Sequence, residues 1–345
     1  MTTVHETISR RVLIGPGSLA AVPSEVDRLG GARVLLLSTR SASRAAGTVG
    51  DALGGRVALS FDQPVAHTPV SVTHGLLAEL GPRGIDVIVA IGGGSAVGLS
   101  KAVAARTDVP QLVVPTTYAG SEQTPVLGET ENGEKTTRRD LALVPGTVVY
   151  DPELTVSMPA GLTLTSALNA VAHAVEALWA QDATPVSDAL ATEAADLILG
   201  TLPHVLSDPV DVAPRARLQS GAWLAGLCLS QTQMGLHHQL AHTLGGMFDL
   251  PHAELHSLLL AHLMRFNLPY ASRAAERLTR ILGDDPAAVV EGLAHSHDGA
   301  VTLRELGVPR HGLELTAGRV VASPYPNPRP VEHDSLRVLL QTAWG

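Results

Sequence analysis

The chain is short of several things, and each shortage excludes something. It has a single cysteine, Cys228, so no disulfide can form within it. Aromatic residues make up only 3% of it, and Ala, Val, Leu and Gly dominate, a globular composition. Positive charge is in deficit: the formal net charge is −9, which argues against a nucleic-acid backbone as partner. Mean hydropathy is positive at +0.19, yet no apolar run is long enough to cross a bilayer, so no membrane association is expected. The opening MTTVHETISRRV lacks the apolar core of a signal peptide, and a cytoplasmic protein is expected. No internal repeat or low-complexity tract is visible. The dinucleotide fingerprint G-x-G-x-x-G is absent as well.

What is present falls into two halves. Over the first 150 or so residues, short apolar runs alternate with helix-like stretches. Val34–Ser38, Val57–Phe61, Val87–Ile91 and Leu112–Pro115 read as buried strands, with Arg11–Ile14 and Val148–Tyr150 as further candidates. Residues 41–53, 69–80 and 95–106 read as helices between them. Continuous apolar strands alternating with helices predict a parallel sheet covered on both faces. Glu129–Arg139 is polar, carries an Asn-Gly turn signal and reads as a hairpin or loop. After Asp151-Pro152 strand-like runs nearly vanish. Helical periodicity runs from Leu164 to about Leu282 and again from Pro286 to Leu306. Thr163 or Thr165 is a candidate cap for the first of these helices, and Asp284 for a later one. The Pro-rich stretch 323–334 precedes a last short helix. The expected division is therefore an α/β domain over 1–154 and an all-α domain over 155–345.

Two helical pairs dominate the second half. Asn169 and His173 are four residues apart, as are His238 and His242, so each pair shares one helix face. His252, after Pro251, can approach the same space from a third direction. In the first half, Gly92-Gly93-Gly94-Ser95 lies between a strand and a helix. Glycines there let the backbone approach a pyrophosphate, and the helix start offers unpaired N–H groups. Thr116, Thr117 and Ser121 follow another strand, at the strand end where α/β sheets bind ligands. For the remaining histidines, including His295 and His297, ordinary hydrogen-bonded surface or core positions are expected. His237 and His256 flank the group, and His262 is a second-tier candidate.

Taken in order, GGGS, PTTYAGSE, the Asn/His pair, HHQLAHTLGG, DLPHAE and YPNPRPVE resemble the maleylacetate reductase branch of the iron-containing alcohol dehydrogenase family, over essentially the whole chain. The resemblance implies the dehydroquinate synthase-like fold of that family, with an active site in the cleft between the two domains. It implies NADH or NADPH as hydride donor, a homodimer, and a small dicarboxylate as substrate. By that match Gly93, Gly94 and Ser95 meet the pyrophosphate, Thr116 and Thr117 the nucleotide, and Lys135 the ribose. Ser38 and Thr39 lie near the adenosine ribose. Neither is acidic, and Arg40 beside them can tolerate a 2′-phosphate.

In metal-dependent relatives the first pair is Asp and His, and four ligands complete the site. Here the corresponding positions are Asn169, His173, His238 and His252. An amide brings no charge to a divalent ion, so metal-independent chemistry is expected and no metal ligand is assigned. The implied reaction reduces maleylacetate to 3-oxoadipate in aromatic-compound degradation, with His242 as acid and Tyr118 as rival. Three positions depart from the branch: Gln239 stands where Lys is usual, a loss of a cation for a dianionic substrate; Ala261 stands where Pro is usual, and Pro326 where an aromatic residue is common. Alternatives are reduction of another ketone or enoate, a non-redox lyase or cyclase of the same fold, and a catalytically lapsed nucleotide binder.

Overall fold

A computed structural model describes residues 10–345, apart from the side chains of residues 134 and 135. Two compact units result. Of the described residues, one holds 10–157 together with Pro209–Gln219; the other holds Met158–Asp208 and Ser220–Gly345. The change of unit comes at Ser157, slightly past the expected end of the α/β domain at residue 154, and Pro209–Gln219, expected in the all-α domain, belongs with the sheet.

The first unit is built on eight strands: β1 Arg11–Ile14, β2 Val34–Ser38, β3 Val57–Phe61, β4 Val87–Gly92, β5 Gln111–Pro115, β6 Val126–Glu131, β7 Glu134–Arg139 and β8 Thr147–Tyr150. Its helices are α1 Val22–Arg28, α2 Ser43–Leu53, α3 Val70–Leu80 and α4 Gly94–Thr107. Six strands form one sheet in the order β1-β8-β5-β4-β2-β3, and every pairing is parallel. Side chains alternate across such a sheet. Val34, Leu36, Val87, Val89 and Ile91 pack on one face against α1 and α2. Leu35, Leu37, Ile88 and Ala90 pack on the other against α3 and α4. Both faces are covered, which is why the strands are apolar throughout. β6 and β7 form a separate antiparallel hairpin. Its turn uses Asn132 and Gly133, both at positive φ, the geometry that Asn-Gly favours.

Glu25, on α1, is buried and accepts from Arg11 Nε at 2.9 Å and Arg28 Nε at 2.7 Å. Thr147 Oγ1 on β8 lies 3.3 Å from the same carboxylate, so Glu25 ties α1 both to β8 and, through Arg11, to the edge strand β1. Burial alone would raise its pKa, but the Arg28 and Arg11 hydrogen bonds and charges bring it below the ordinary value.

The second unit is helical, and no strand occurs in it among the described residues. Its helices are α5 Ala160–Trp179, α6 Pro185–Ser207, the later part of α7 Val212–Gln231, α8 Leu236–Phe248, α9 His252–Asn267, α10 Ser272–Leu282, α11 Pro286–Ala294, α12 Arg310–Ala322 and α13 His333–Trp344. α5 is buried on all sides from Thr163 to Trp179, the mark of a central helix. The core between α8, α9, α12 and α13 is aliphatic. No helix is long and apolar enough to cross a membrane, among the described residues.

Three sequence expectations need correction. α5 starts a turn before Thr163, after Pro159, with no side-chain cap; Thr165 Oγ1 instead donates to the carbonyl of Gly161. Asp285, not Asp284, caps α11 by accepting from Ala288 N. The helical reading to Leu306 stops at Ala294, and α12 follows Pro309 unannounced.

Candidate active site

In the sheet unit, the chain leaves β2 toward β3 and β4 toward β5, so β2 and β4 bracket the point where strand order reverses. Open α/β sheets bind ligands at the carboxyl ends of strands flanking that point. Gly92 ends β4 with φ 151°, and a Cβ on it would lie 2.8 Å from the side chain of Thr39. A Cβ on Gly93 would lie 3.0 Å from Thr117. The turn is thus wedged between threonines from the ends of β2 and β5. Thr39 N donates to Ile91 O and Thr116 N to Gly92 O, fixing both neighbours. α4 begins at Gly94 with no side-chain cap, which leaves its first N–H groups for an anion. The structure therefore gathers Ser38, Thr39, Gly93, Gly94, Ser95, Thr116 and Thr117 at one end of the sheet. Ser121 opens a short turn further on, its hydroxyl buried without a protein partner. The side chain of Lys135 lies outside the described residues. Lys101, buried on α4, escaped the sequence reading. Its ammonium donates to the carbonyls of Ser121, Thr124 and Val126, pinning the loop that follows Thr117. A lysine in the middle of an alanine- and valine-rich helix, flanked by Ser100 and Ala102, was the available signal. Tyr118 is buried, and its hydroxyl accepts from Arg215 Nη1 at 3.4 Å.

In the helical unit, α5, α8 and α9 bring six imidazoles together. His173 and His238 have ring centroids 5.1 Å apart, and His238 and His242 6.0 Å. His242 and His252 stack at 5.9 Å, and His252 lies 4.2 Å from His256. His237 and His256 share a 2.9 Å hydrogen bond. All four histidines expected from spacing are in one cluster, and the two flanking ones complete it. His242 and His252 are exposed; His173, His237, His238 and His256 are buried. Asn169, one turn before His173 on α5, is buried too. Asn169 Oδ1, His173 Nδ1 and His238 Nε2 find no hydrogen-bond partner within the protein. Burial, reinforced by the neighbouring imidazoles, holds His173 and His256 well below the ordinary histidine value. Burial likewise pushes His237 down to about 3. These rings are neutral at physiological pH.

Glu176 is the residue that sequence reasoning missed. It is seven positions beyond Asn169 and three beyond His173, on the same face of α5. Its carboxylate accepts from His238 Nδ1 at 2.5 Å and from the backbone N–H groups of Gly235, His237 and His238. Burial would raise its pKa, but the hydrogen bond and charge of His238 lower it overall.

Gln239 does not do what its position suggested. Its amide Nε2 donates to Val320 O and Ser323 O, and its Oε1 accepts from Tyr325 N. The side chain braces the Pro-rich segment after α12. Neighbours on a helix point about 100° apart, so His238 and Gln239 serve different surroundings.

A doubly wound parallel sheet with an open glycine turn at its reversal point, together with a helical unit holding a histidine cluster, fits the architecture of a nucleotide-using enzyme. The chain belongs to the iron-containing alcohol dehydrogenase family. The profile described as "Iron-containing alcohol dehydrogenase" matches residues 9–152, and that of the family's C-terminal part matches residues 163–344. A maleylacetate reductase of Burkholderia cepacia is 45% identical over 97% of this chain and 95% of its own length. The crystal structure of maleylacetate reductase from Agrobacterium tumefaciens superposes with a TM-score of 0.95 at 41% identity, covering 100% of this chain and 98% of its own. The fold is shared also by a Bifidobacterium kashiwanohense sulfoacetaldehyde reductase in complex with NAD+, at 22% identity, with a TM-score of 0.91 and 99% of each chain covered.

The family's name carries a metal, and the residues here fit iron poorly. The ligand position expected to be anionic holds the neutral amide of Asn169. Glu176, the carboxylate that does enter the cluster, spends its oxygens on the start of α8 and on His238 Nδ1. Among the described residues, no three His, Cys, Asp or Glu side chains are arranged to hold an ion.

Proposed function

We propose that this protein reduces maleylacetate to 3-oxoadipate with NADH or NADPH, without a metal, as a step in aromatic-compound degradation. The observation that carries the reading is the buried floor of Asn169, His173 and His238, whose free polar atoms lie beneath the exposed pair His242 and His252. Full-length similarity to maleylacetate reductases supports the substrate.

In the reaction, hydride from the nicotinamide adds to the alkene carbon distal to the ketone. The alkene electron pair moves toward the ketone, and an enolate oxygen develops. A divalent metal stabilises such charge as a Lewis acid; here preorganised hydrogen-bond donors do so. Ring N–H groups of His173, His238 and His252 are assigned that work and the binding of the substrate carboxylates. A proton is then delivered to the carbon beside the ketone, which completes the reduction. His242 is the assigned acid. It is exposed, so water reloads it directly, whereas the Tyr118 hydroxyl is buried, and burial raises its pKa against the opposing effects of Thr155 and Arg215. The glycine turn and its threonines are assigned to the pyrophosphate and nucleotide, with Ser121 and Lys135 beside them. Ser38 and Thr39 are assigned to the adenosine ribose. The same resemblance supports a cytoplasmic homodimer.

Deuteride from C4-labelled NADH locates the step. Deuterium on the product carbon next to the distal carboxylate supports conjugate addition. Deuterium at a carbinol carbon would show ketone reduction instead and replace maleylacetate reduction with the broader alternative, a reductase of another ketone.

A further inference from the structure

We propose that Glu176 is a positioning residue that holds the His238 ring and the first turn of α8 in the arrangement the reaction needs. The kinetic part of this inference rests on the reading above; the structural part does not.

Helix starts leave N–H groups without intrahelical partners, and carboxylates commonly satisfy them. The carboxylate serving α8 comes from α5, the helix that also carries Asn169 and His173. Glu176 Oε1 accepts from His237 N at 2.8 Å, and Oε2 from Gly235 N at 3.1 Å and His238 N at 3.4 Å. Oε2 also accepts a hydrogen bond from His238 Nδ1, at 2.5 Å. One side chain therefore fixes where α8 begins and which nitrogen of His238 carries its inner proton. The outer nitrogen, Nε2, is left with no protein partner. This is the logic by which a carboxylate sets the tautomer and aim of a working imidazole.

Two further contacts keep Glu176 in register. A Cβ on Gly235 would lie 3.1 Å from Glu176 Oε1 and 2.8 Å from the carbonyl of Pro326, so only glycine fits between carboxylate and Pro-rich segment. That segment is itself latched. Asn327 and Asn267 exchange amide hydrogen bonds at 2.7 and 2.9 Å, and Arg329 lies 4.1 Å over the Phe266 ring. The arrangement also solves an electrostatic problem. A bare buried carboxylate beneath a site for a dianion would repel it strongly; four donors turn toward this one and disperse its charge.

The test uses the full-length enzyme. In Glu176→Gln the side chain keeps its shape, but an amide NH2 confronts N–H donors. Turnover with maleylacetate should fall about 10- to 100-fold, the usual scale for groups orienting a working histidine, while KM for NADH stays within about twofold. Glu176→Asp should recover part of the loss. In the His238→Ala background, Glu176→Gln should cost less turnover than it does alone, because the ring it aims is gone and only its hold on the start of α8 is left to lose. Independently of activity, imidazole 15N spectra, assigned by the loss of a signal in His238→Ala, should show Nδ1 of His238 protonated in the wild type and not held so in Glu176→Gln. A wild-type spectrum with Nδ1 unprotonated would overturn the proposal. So would additive losses in the double variant, or unchanged turnover in Glu176→Gln. If the wild type fails to turn over maleylacetate while the spectra behave as stated, the substrate assignment is wrong and the positioning role stands.

Discussion

The glycine turn gives a clean separation between folding and cofactor binding at one position. A Cβ added to Gly92 or Gly93 meets Thr39 or Thr117, so changes there perturb the protein itself. At Gly94 an added Cβ meets no protein atom within 4 Å, and the residue's φ lies outside the left-handed region. It is the first residue of α4. Gly94→Val should therefore leave stability unchanged or raise it by a few tenths of a kcal/mol, since Val is the better helix former. If the pyrophosphate sits against this helix start, the new side chain occupies its place. Losing one hydrogen bond to a charged group costs about 1.5–3 kcal/mol, or roughly 10- to 150-fold in affinity. Calorimetric titration with NADH, alongside thermal unfolding of the unliganded protein, measures both quantities. Unchanged NADH affinity in a folded Gly94→Val would refute the placement. A large loss of thermal stability would refute the claim that the space beside Gly94 is free of protein.

Other expectations follow from the site and from one ion pair. His242→Ala should reduce kcat far more than it changes KM for maleylacetate, the pattern of a group needed mainly in the transition state; the reverse pattern in steady-state kinetics would assign it to substrate binding. Gln239→Lys should not improve maleylacetate binding. A lysine cannot accept from Tyr325 N, so the variant should lose about 1 kcal/mol of stability, seen as a melting point lower by a few degrees, and an improved KM would contradict the bracing role. Glu25 contributes pH-dependent stability. Its folded-state pKa lies below the ordinary 4.5, so the unfolded chain binds the extra proton as pH falls. The contribution is complete above about 4.5 and disappears as pH drops through the folded value. Glu25→Gln should flatten that acid limb in denaturant titrations, most visibly at low salt because both arginines are partly exposed.

The sheet was legible because its strands are apolar on both faces, as in Val87–Ile91, and because helix-length segments separate them. The Asn132-Gly133 hairpin was legible from its turn chemistry. Spacing also found the cluster: residues four apart on α5 and α8 had to share a face, and His252 joined them. The failures are of a different kind. Thr163 and Thr165 look like caps, yet α5 starts earlier because Pro159 fits just before a helix. α12 contains two glycines, Gly312 and Gly318, and follows a proline, which masks its period. Glu176 went unread because its spacing pointed to the site while its residue type suggested an ordinary helix surface. Gln239 was misread because position next to His238 in sequence was taken for position in the pocket. Side-chain direction on a helix turns by about 100° per residue, and only the fold shows which neighbour each one meets.

If nicotinamide and side-chain donors suffice, maleylacetate is reduced with no metal present. The most direct measurement is turnover of maleylacetate and NADH, followed by nicotinamide absorbance, after exhaustive chelation and metal analysis of the same sample. The account predicts 3-oxoadipate formation at an undiminished rate with far less than one iron or zinc per chain. Activity abolished by chelation and restored by added Fe2+ or Zn2+ would contradict it.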